Sequence, residues 1–331
     1  KLEKIKIIRR RNKIKYTNKI SLRRIVLEIW YALFILKNIK KHQNKIDVII
    51  PVFPPSLAFY TASFFIKKEI KKIGIIHDLQ IIYSSQKKGL FNKLITFFIK
   101  RVEKSCFKTC DTLIFLSEEM KNAALDIYKI SKIKCQVQFP FTTIIDKPLS
   151  DNLKNILPNN QHNIVYSGAL GEKQNPNELL DVYDYISKNI SNTICYFFSQ
   201  GPIFEELKKR NNNSKIKFYS LVSKDDVQEL YARSSIQIVP QLPNTSNGSL
   251  PSKLPNILAS ETKTLVITDK DSELEQLFND YNLQKVITTW DKQIIVCAIK
   301  ELLEQKIDLK KQKITAEKLF NINSLIGKIV S

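Results

Sequence analysis

Two lysines in the second half of the chain stand beside turn-forming residues, where each could neutralise the charge of a phosphate. Lys173 belongs to the stretch VYSGALGEKQNPNELL, in which Gly168 and Gly171 would let the backbone approach a bound anion closely. Lys253 belongs to PSKLPNI, ahead of an apolar run. Lys173 precedes a predicted helix and Lys253 begins one, and the first amide groups of a helix carry partial positive charge. The two stretches together predict a diphosphate site, although the first alone is equally typical of a surface turn.

The second lysine is expected to lie at the start of a helix. Ser252 is the predicted N-cap, because a hydroxyl there accepts a hydrogen bond from a free backbone amide of the first turn. Asn256 would then lie one turn along the same helix. This arrangement would leave further amide groups free to bind the anion that Lys253 contacts.

The elements that must position these residues alternate between short apolar strands and longer helices. The predicted strands are 47–53, 72–78 and 112–118 in the first half, then 163–168, 193–201, 215–221, 236–241 and 264–269. The predicted helices include 87–108 and, in the second half, 176–190, 202–211, 223–234, 253–260, 271–280 and 291–305. Such alternation predicts parallel sheets with right-handed crossovers.

The chain is long enough for two domains. Its 331 residues exceed one ordinary core, and the polar stretch 139–163 with three prolines is typical of an interdomain linker. We predict domains at 1–145 and 146–331, with the last helix a candidate to pack back on the first domain. Because ligands of doubly wound sheets bind at the carboxyl ends of strands, the site should lie between the domains.

The order of these motifs resembles glycosyltransferase family 4, of the type that builds bacterial capsule, colanic-acid-type and O-antigen polysaccharides. The resemblance covers about residues 45–305 and rests on the glycine loop with its lysine, on QGP after a strand, and on LPSKL followed by LAS. It implies the α/β fold called GT-B, in which two Rossmann-like, doubly wound parallel-sheet domains face each other. It also implies retaining, metal-independent transfer of a sugar from a nucleotide-diphosphate donor to a glycan or lipid-linked acceptor, with no cofactor.

The resemblance assigns roles by position. Lys173 would contact the donor diphosphate beside Gly168 and Ala169. Gly201, Pro202, Leu221 and Val222 would line the base pocket, and Ser252, Lys253 and Leu254 would border the phosphates. Asn256 takes the position of the glutamate that binds the ribose. His77 would lie on the facing domain near the sugar and acceptor; the alternative is a turn histidine bonded to the backbone.

The sequence also departs from the family pattern. Ala169 stands where many members have arginine, and Asn256 replaces a glutamate. The strand and glycine-rich acceptor loop that usually open the first domain are not found, so about 50–60 residues of an ordinary domain are expected to be missing from its front. These departures favour an alternative, a non-catalytic scaffold that keeps the fold.

Charge and cysteine content bound the remaining function classes. The net charge of +21 attracts polyanions and suggests a nucleic-acid-binding protein as a second alternative, but no zinc-finger or RNP-type motif supports it. Five scattered cysteines favour a reducing cytoplasm. Cys106 with Cys110, and the Asp-x-Asp of TDKD at 268–271, are weak metal patterns, and we expect no metal.

Two segments raise the question of a membrane. The apolar stretch 25–37 is too short to span a bilayer and is expected to be a buried or interfacial helix. The predicted helix 87–108 flanks an apolar stripe with lysines, which is equally typical of a core helix and of one resting on anionic lipid. The protein is therefore expected in the cytoplasm, with the inner face of the membrane as a candidate surface.

Overall fold

The computed structural model describes residues 6–12, 22–79, 81, 90–144, 148–245 and 250–330. These residues form two parallel β-sheets, each flanked by helices. The GT-B fold predicted from the sequence is thereby confirmed at the level of two α/β domains with parallel sheets. The predicted helix 87–108 is described from residue 90 onward, so Lys87 and Lys88 lie outside the described residues.

The first domain contains five short parallel strands in the order β1, β3, β4, β5, with β2 also beside β3. The strands are β1 (Val48–Ile49), β2 (Val52–Phe53), β3 (Lys71–Ile76), β4 (Thr112–Phe115) and β5 (Cys135–Val137). The helices are α1 (Leu22–His42), α2 (Ser56–Phe64), α3 (Leu90–Lys108) and α4 (Glu118–Tyr128). The predicted strand 47–53 forms two pieces, β1 and β2, on either side of Pro51, which lacks the amide hydrogen of a ladder bond.

The second domain contains a six-stranded parallel sheet in the order β11, β10, β9, β6, β7, β8. The strands are β6 (His162–Ser167), β7 (Thr193–Phe198), β8 (Ile216–Tyr219), β9 (Ile236–Pro240), β10 (Thr264–Ile267) and β11 (Lys285–Ile287). The helices are α5 (Pro176–Asn189), α6 (Pro202–Arg210), α7 (Val227–Ala232), α8 (Leu254–Ala259), α9 (Glu273–Asp280), α10 (Lys292–Glu304), α11 (Leu309–Leu319) and α12 (Ile322–Val330).

The order of this sheet places a topological switch point between β6 and β9. The chain leaves β6 toward β7 and β8 on one side, and continues from β9 toward β10 and β11 on the other. A crevice forms between the two loops that diverge at such a point, which is where doubly wound sheets bind their ligands. One of these loops carries Lys173 and the other leads to Lys253. The fold therefore directs both predicted phosphate ligands to one end of one sheet.

The predicted linker, 139–163, extends too far toward its C-terminal end. Within 139–163, Leu153 and Leu157 are buried in the core of the second domain, and the backbone amide of Leu153 donates to Glu229 at 3.1 Å. Strand β6 begins at His162. The proline-rich polar composition hid two leucines that anchor this stretch to the sheet domain. The connecting segment ends near residue 150.

The last helices cross back to the first domain. The backbone amide of Thr142 donates to Phe320 O at 3.0 Å, and the Lys328 ammonium donates to Val137 O and Gln138 Oε1. Strand β11 and helix α11 were not predicted from the sequence, because three residues carry too little pattern and α11 is strongly polar. The C-terminal helices therefore bind the two domains together on the side of β5.

Candidate active site

Gly168 shapes the loop after β6. Its φ of +128° lies in the region that favours glycine, and its amide donates to Phe198 O at 3.0 Å. A Cβ placed on Gly168 would come 3.8 Å from Cδ of Lys253. The lysine stem therefore packs directly over the glycine. Ala169 follows with an exposed side chain, and its carbonyl accepts a hydrogen bond from the Tyr166 hydroxyl at 2.7 Å.

Lys253 carries a desolvated cation at the switch point. Its ammonium donates to Ser167 O at 3.0 Å and lies 3.9 Å from the centroid of the Tyr166 ring. Although the residue as a whole is half-buried, burial of the ammonium lowers the pKa of Lys253 to about 7. Its two described polar contacts are a carbonyl and a π face, which leave the charge uncompensated. A bound anion would supply the missing negative charge.

Lys173 faces the opposite domain. It lies in a short 3-10 turn, Glu172–Gln174, and its carbonyl accepts a hydrogen bond from the Leu242 amide at 2.8 Å. Its ammonium lies 2.9 Å from Oδ2 of Asp78. The two predicted phosphate lysines thus lie on the two loops of the switch point, but Lys173 also forms an ion pair across the cleft.

His77 and Asp78 follow β3 at the cleft edge of the first domain. The His77 backbone amide donates to Phe53 O at 2.9 Å, while its imidazole is exposed. Partial burial lowers the pKa of His77, and the neighbouring Asp78 charge opposes that shift. The lowered pKa favours the neutral imidazole, in which one nitrogen can donate and the other accept. Sequence reasoning did not single out Asp78, although its place after a strand-end histidine was a usable signal.

The predicted base pocket lies at the ends of β7 and β8. Gly201 has a φ of +108° and precedes Pro202, the first residue of α6. Leu221 is exposed, whereas Val222 packs partly against the core. Ser199 was not predicted: it is fully buried, and among the described residues its hydroxyl has no hydrogen-bond partner. Within the described stretches of the chain, Ser199 therefore leaves an unsatisfied buried hydroxyl at the end of β7.

One prediction about the segment PSKLPNI is corrected by the structure. Ser252 is exposed and is not the N-cap; Lys253 holds that position before α8, with no side-chain cap. The reason is a turn in which the Leu254 amide donates to Pro251 O at 3.0 Å. Leu254 itself is buried, so only its backbone could border a phosphate. Of the three residues predicted to border the phosphates, Lys253 therefore keeps a charged side chain directed at the loop after β6.

Asn256 is engaged by the connecting segment instead of facing an open pocket. Its Oδ1 accepts from the Thr143 amide at 2.7 Å, and its Nδ2 donates to Thr143 Oγ1 at 3.1 Å. The Thr142 hydroxyl also donates to Oδ1 at 3.3 Å. An asparagine can accept from the Thr143 amide and donate to the Thr143 hydroxyl in this way, whereas an ionised glutamate could only accept. A ribose contact from Asn256 would require this pairing to change.

The cleft is also bridged by two glutamates at the first turns of facing helices. The Glu273 carboxylate of α9 accepts from the amides of Glu118 and Glu119 of α4, at 2.8 and 2.7 Å. In return, Oε1 of Glu119 accepts from the Glu273 amide at 2.7 Å. Burial, with the charges of Glu273 and Asp269, raises the pKa of Glu119. Each helix N-terminus is thus capped by a carboxylate of the other domain.

Removing this bridge should weaken the protein measurably. We expect Glu273→Ala to lower the free energy of unfolding by about 1–3 kcal/mol, because two partly buried amides lose their acceptor. Glu273→Gln, which keeps one acceptor oxygen, should cost less. Urea unfolding provides the measurement. Glu304→Ala, at an exposed helical position, is the control and should change stability by under about 0.5 kcal/mol; equal effects for Glu273→Ala and the control would contradict the bridge.

Cys106, Cys110 and Asp269, from the two weak metal patterns, are buried or hydrogen-bonded to the backbone instead. Cys106 and Cys110 are buried in the first domain, and burial raises the pKa of each thiol to about 12. The Asp269 carboxylate accepts from the amides of Asn244 and Thr245, at 2.8 and 3.1 Å. Within the part of the chain that the structure describes, no cluster of three potential metal ligands occurs. Asp269 therefore stabilises the loop after β9 by accepting hydrogen bonds from its backbone.

About half of the chain matches a known protein family. Residues 151–319 match the family described as glycosyl transferases group 1. The Escherichia coli (strain K12) protein WcaI, whose name describes a colanic acid biosynthesis glycosyl transferase, is 28% identical over 187 residues. That match covers 53% of this chain and 45% of WcaI, so the chain spans less than half the length of this relative.

Solved structures share the fold across both domains. Sucrose-phosphate synthase from Thermosynechococcus elongatus superposes with a TM-score of 0.71 at 14% identity, over 93% of this chain and 79% of that one. A structure described as trehalose-6-phosphate from E. coli bound with UDP-2-fluoro glucose gives 0.65 at 8% identity, over 94% and 79%. At these identities the likeness establishes the common two-domain fold.

Proposed function

Because the chain belongs to the glycosyl transferases group 1 family, we propose that it transfers a sugar from a nucleoside-diphosphate donor to a glycan or lipid-linked acceptor. The reaction would retain the anomeric configuration, need no metal, and serve the synthesis of a bacterial surface polysaccharide. One observation carries the proposal: a desolvated cation, Lys253, lies over the glycine loop at the switch point of the second sheet.

Sugar transfer from such a donor requires stabilisation of the leaving diphosphate. As the bond between the anomeric carbon and the phosphate oxygen breaks, negative charge grows on the diphosphate, and a preorganised cation lowers the energy of that charge. Lys253 would contact it from the β9 side and Lys173 from the β6 side. Release of Lys173 from Asp78 would accompany donor entry, which frees a carboxylate beside His77 for the sugar or acceptor hydroxyls.

A second candidate is the non-catalytic scaffold, which one observation favours. Asn256 takes the position that the family resemblance assigns to the ribose glutamate, and its amide is engaged by the connecting segment. A scaffold of this kind would keep both domains but bind no nucleotide. The polyanion-binding alternative, suggested by the charge of +21, would instead show steep salt dependence with any nucleic acid.

Nucleotide binding separates these candidates. At 100 times its dissociation constant, a nucleoside diphosphate should raise the free energy of unfolding by about 2.7 kcal/mol. Thermal unfolding with UDP, GDP and ADP would identify the base, and Lys253→Met should abolish the shift while the exposed-site control Lys208→Met retains it. No shift with any of the three would refute donor binding and leave the scaffold.

The acceptor is expected to be hydrophobic at one end. A lipid-linked acceptor would sit on the inner face of the cytoplasmic membrane, and the protein would work there as a peripheral enzyme. No helix among residues 22–79, 90–144 and the later described stretches is long and apolar enough to cross a bilayer.

A further inference from the structure

The first domain exposes apolar side chains on three adjacent helices. On α1, Ile25, Ile29 and Leu33 are spaced four residues apart and are 50%, 46% and 60% exposed. On α3, Phe98 and Val102 repeat the same spacing, at 57% and 47%. Residues four apart lie on one face of a helix. Each of these helices therefore presents an aliphatic or aromatic stripe to the outside instead of to its own core.

The stripes belong to one continuous surface, which we call the three-helix face. Helix α2 packs against both α1 and α3, and a cavity of about 790 Å³ opens where the three meet. Ile25 lines it from α1, Leu57 and Tyr60 from α2, and Phe98 and Val102 from α3. Monomeric soluble proteins rarely expose so broad an apolar surface without a binding role.

Basic residues border this face. Arg23 on α1 and Lys93, Lys100 and Arg101 on α3 are exposed. The Arg101 guanidinium lies 6.0 Å from the centroid of the Phe97 ring, so its stem covers apolar surface while its charge reaches outward. Of the acids at the cavity, Glu103 is fully buried and accepts a hydrogen bond from the Tyr128 hydroxyl. The other acid at the cavity, Glu28, is half-buried, so the four exposed basic residues leave the outward charge of the face positive.

We propose that the three-helix face docks on a bilayer that contains anionic lipid. The aliphatic and aromatic side chains would enter the interface, and the bordering lysines and arginines would lie at the phosphates. A second copy of this chain is the less suitable partner, because each copy carries a net charge of +21 and the borders would repel. The proposal rests on the proposed function in one respect, namely that a lipid-linked acceptor gives docking its purpose.

The three-helix face is connected to the cleft through α2 and the strands beside it. Helix α2 begins three residues after β2 ends at Phe53, and β2 lies beside β3, the strand that ends just before His77. The carboxyl ends of these strands form the edge that faces the second domain. Docking by the three-helix face would therefore hold this edge close to the lipid surface, with the acceptor headgroup within reach of His77.

Flotation with lipid vesicles tests the proposal without any nucleotide sugar, so it stands apart from the test of sugar transfer. Vesicles of phosphatidylcholine and phosphatidylglycerol in equal parts should bind the protein, whereas pure phosphatidylcholine vesicles should bind it at least about tenfold more weakly. Lys100→Gln with Arg101→Gln should weaken binding about fivefold per residue, the equivalent of 1 kcal/mol for each charge near the surface. The matched control Lys208→Gln with Lys209→Gln, on α6, should bind as the unaltered protein does.

A second pair of variants tests the apolar part of the face. Ile29→Glu and Phe98→Glu should each reduce vesicle binding, whereas Ile314→Glu, at a site on α11 that is 66% exposed, should not. The charge variants keep the test valid if a glutamate disturbs folding. Equal binding to both vesicle types, or a dimer in light scattering that Ile29→Glu dissociates, would overturn the proposal.

Discussion

Replacing Lys253 by Met is expected to lower kcat/KM for sugar transfer by about 10²–10³, the usual cost of removing one preorganised group that stabilises developing negative charge. The Lys253 ammonium is already desolvated and oriented by Ser167 O and the Tyr166 ring, so no energy is spent on ordering it during the reaction. Methionine keeps much of the stem that packs over Gly168. The loss should therefore report the charge, with the fold intact.

Steady-state kinetics with the nucleotide that passes the thermal-shift screen provide the measurement. Lys208→Met serves as the control, because it removes the same type of side chain from an exposed position on α6. Lys173→Met should have a smaller effect than Lys253→Met, since the Lys173 side chain is 41% exposed and already pairs with Asp78. Unchanged turnover in Lys253→Met would refute the role of this lysine.

The sequence predicted the architecture because alternation of strands and helices constrains parallel sheets strongly. Once β6 and β9 are central strands, the loops after them must diverge, and Lys173 and Lys253 follow those loops. That step needs only the order of elements along the chain. Gly168 and Gly201 were also predicted as loop glycines after strands. In the structure both adopt positive φ values that favour glycine.

The start of α8 and the partners of Asn256 were not predicted correctly, for two different reasons: a competing local turn and a contact between distant residues. Ser252 has the chemistry of an N-cap, but the turn made by Pro251 and Leu254 moves the helix start past it. Asn256 was assigned to the ribose by position, whereas in the fold it pairs with Thr143, more than a hundred residues away in the chain. No spacing rule could have revealed that partner.

The contacts across the cleft were beyond sequence reasoning for the same reason. Glu119 and Glu273 are ordinary first-turn acids when each helix is considered alone. Only the relative placement of the two domains makes each one the cap of the other helix. The pair of Lys173 and Asp78 also joins the domains. Donor binding would therefore compete with the ion pair of Lys173 and Asp78. The contact between Glu119 and Glu273 would still hold the two domains together.

The stability of the protein should depend on pH through Lys253. Burial lowers the pKa of Lys253 to about 7 in the folded protein, from an ordinary value of 10.5 in the unfolded chain. Below pH 7 both states hold the proton. Between about pH 7 and about pH 10.5 the unfolded chain holds more protons than the folded protein, so the free energy of unfolding rises with pH from this group. The slope should approach about 1.4 kcal/mol per pH unit.

Comparison with Lys253→Met isolates this contribution, because every other titrating group is common to both proteins. The difference in unfolding free energy, measured in urea between about pH 6 and about pH 9, should change in favour of the unaltered protein as the pH rises. A nucleoside diphosphate that binds Lys253 stabilises the charged form and should move the onset of the slope to higher pH. Parallel stability curves for the two proteins would show that the ammonium is solvated, and a slope that no nucleotide displaces would show that its charge does not meet the donor.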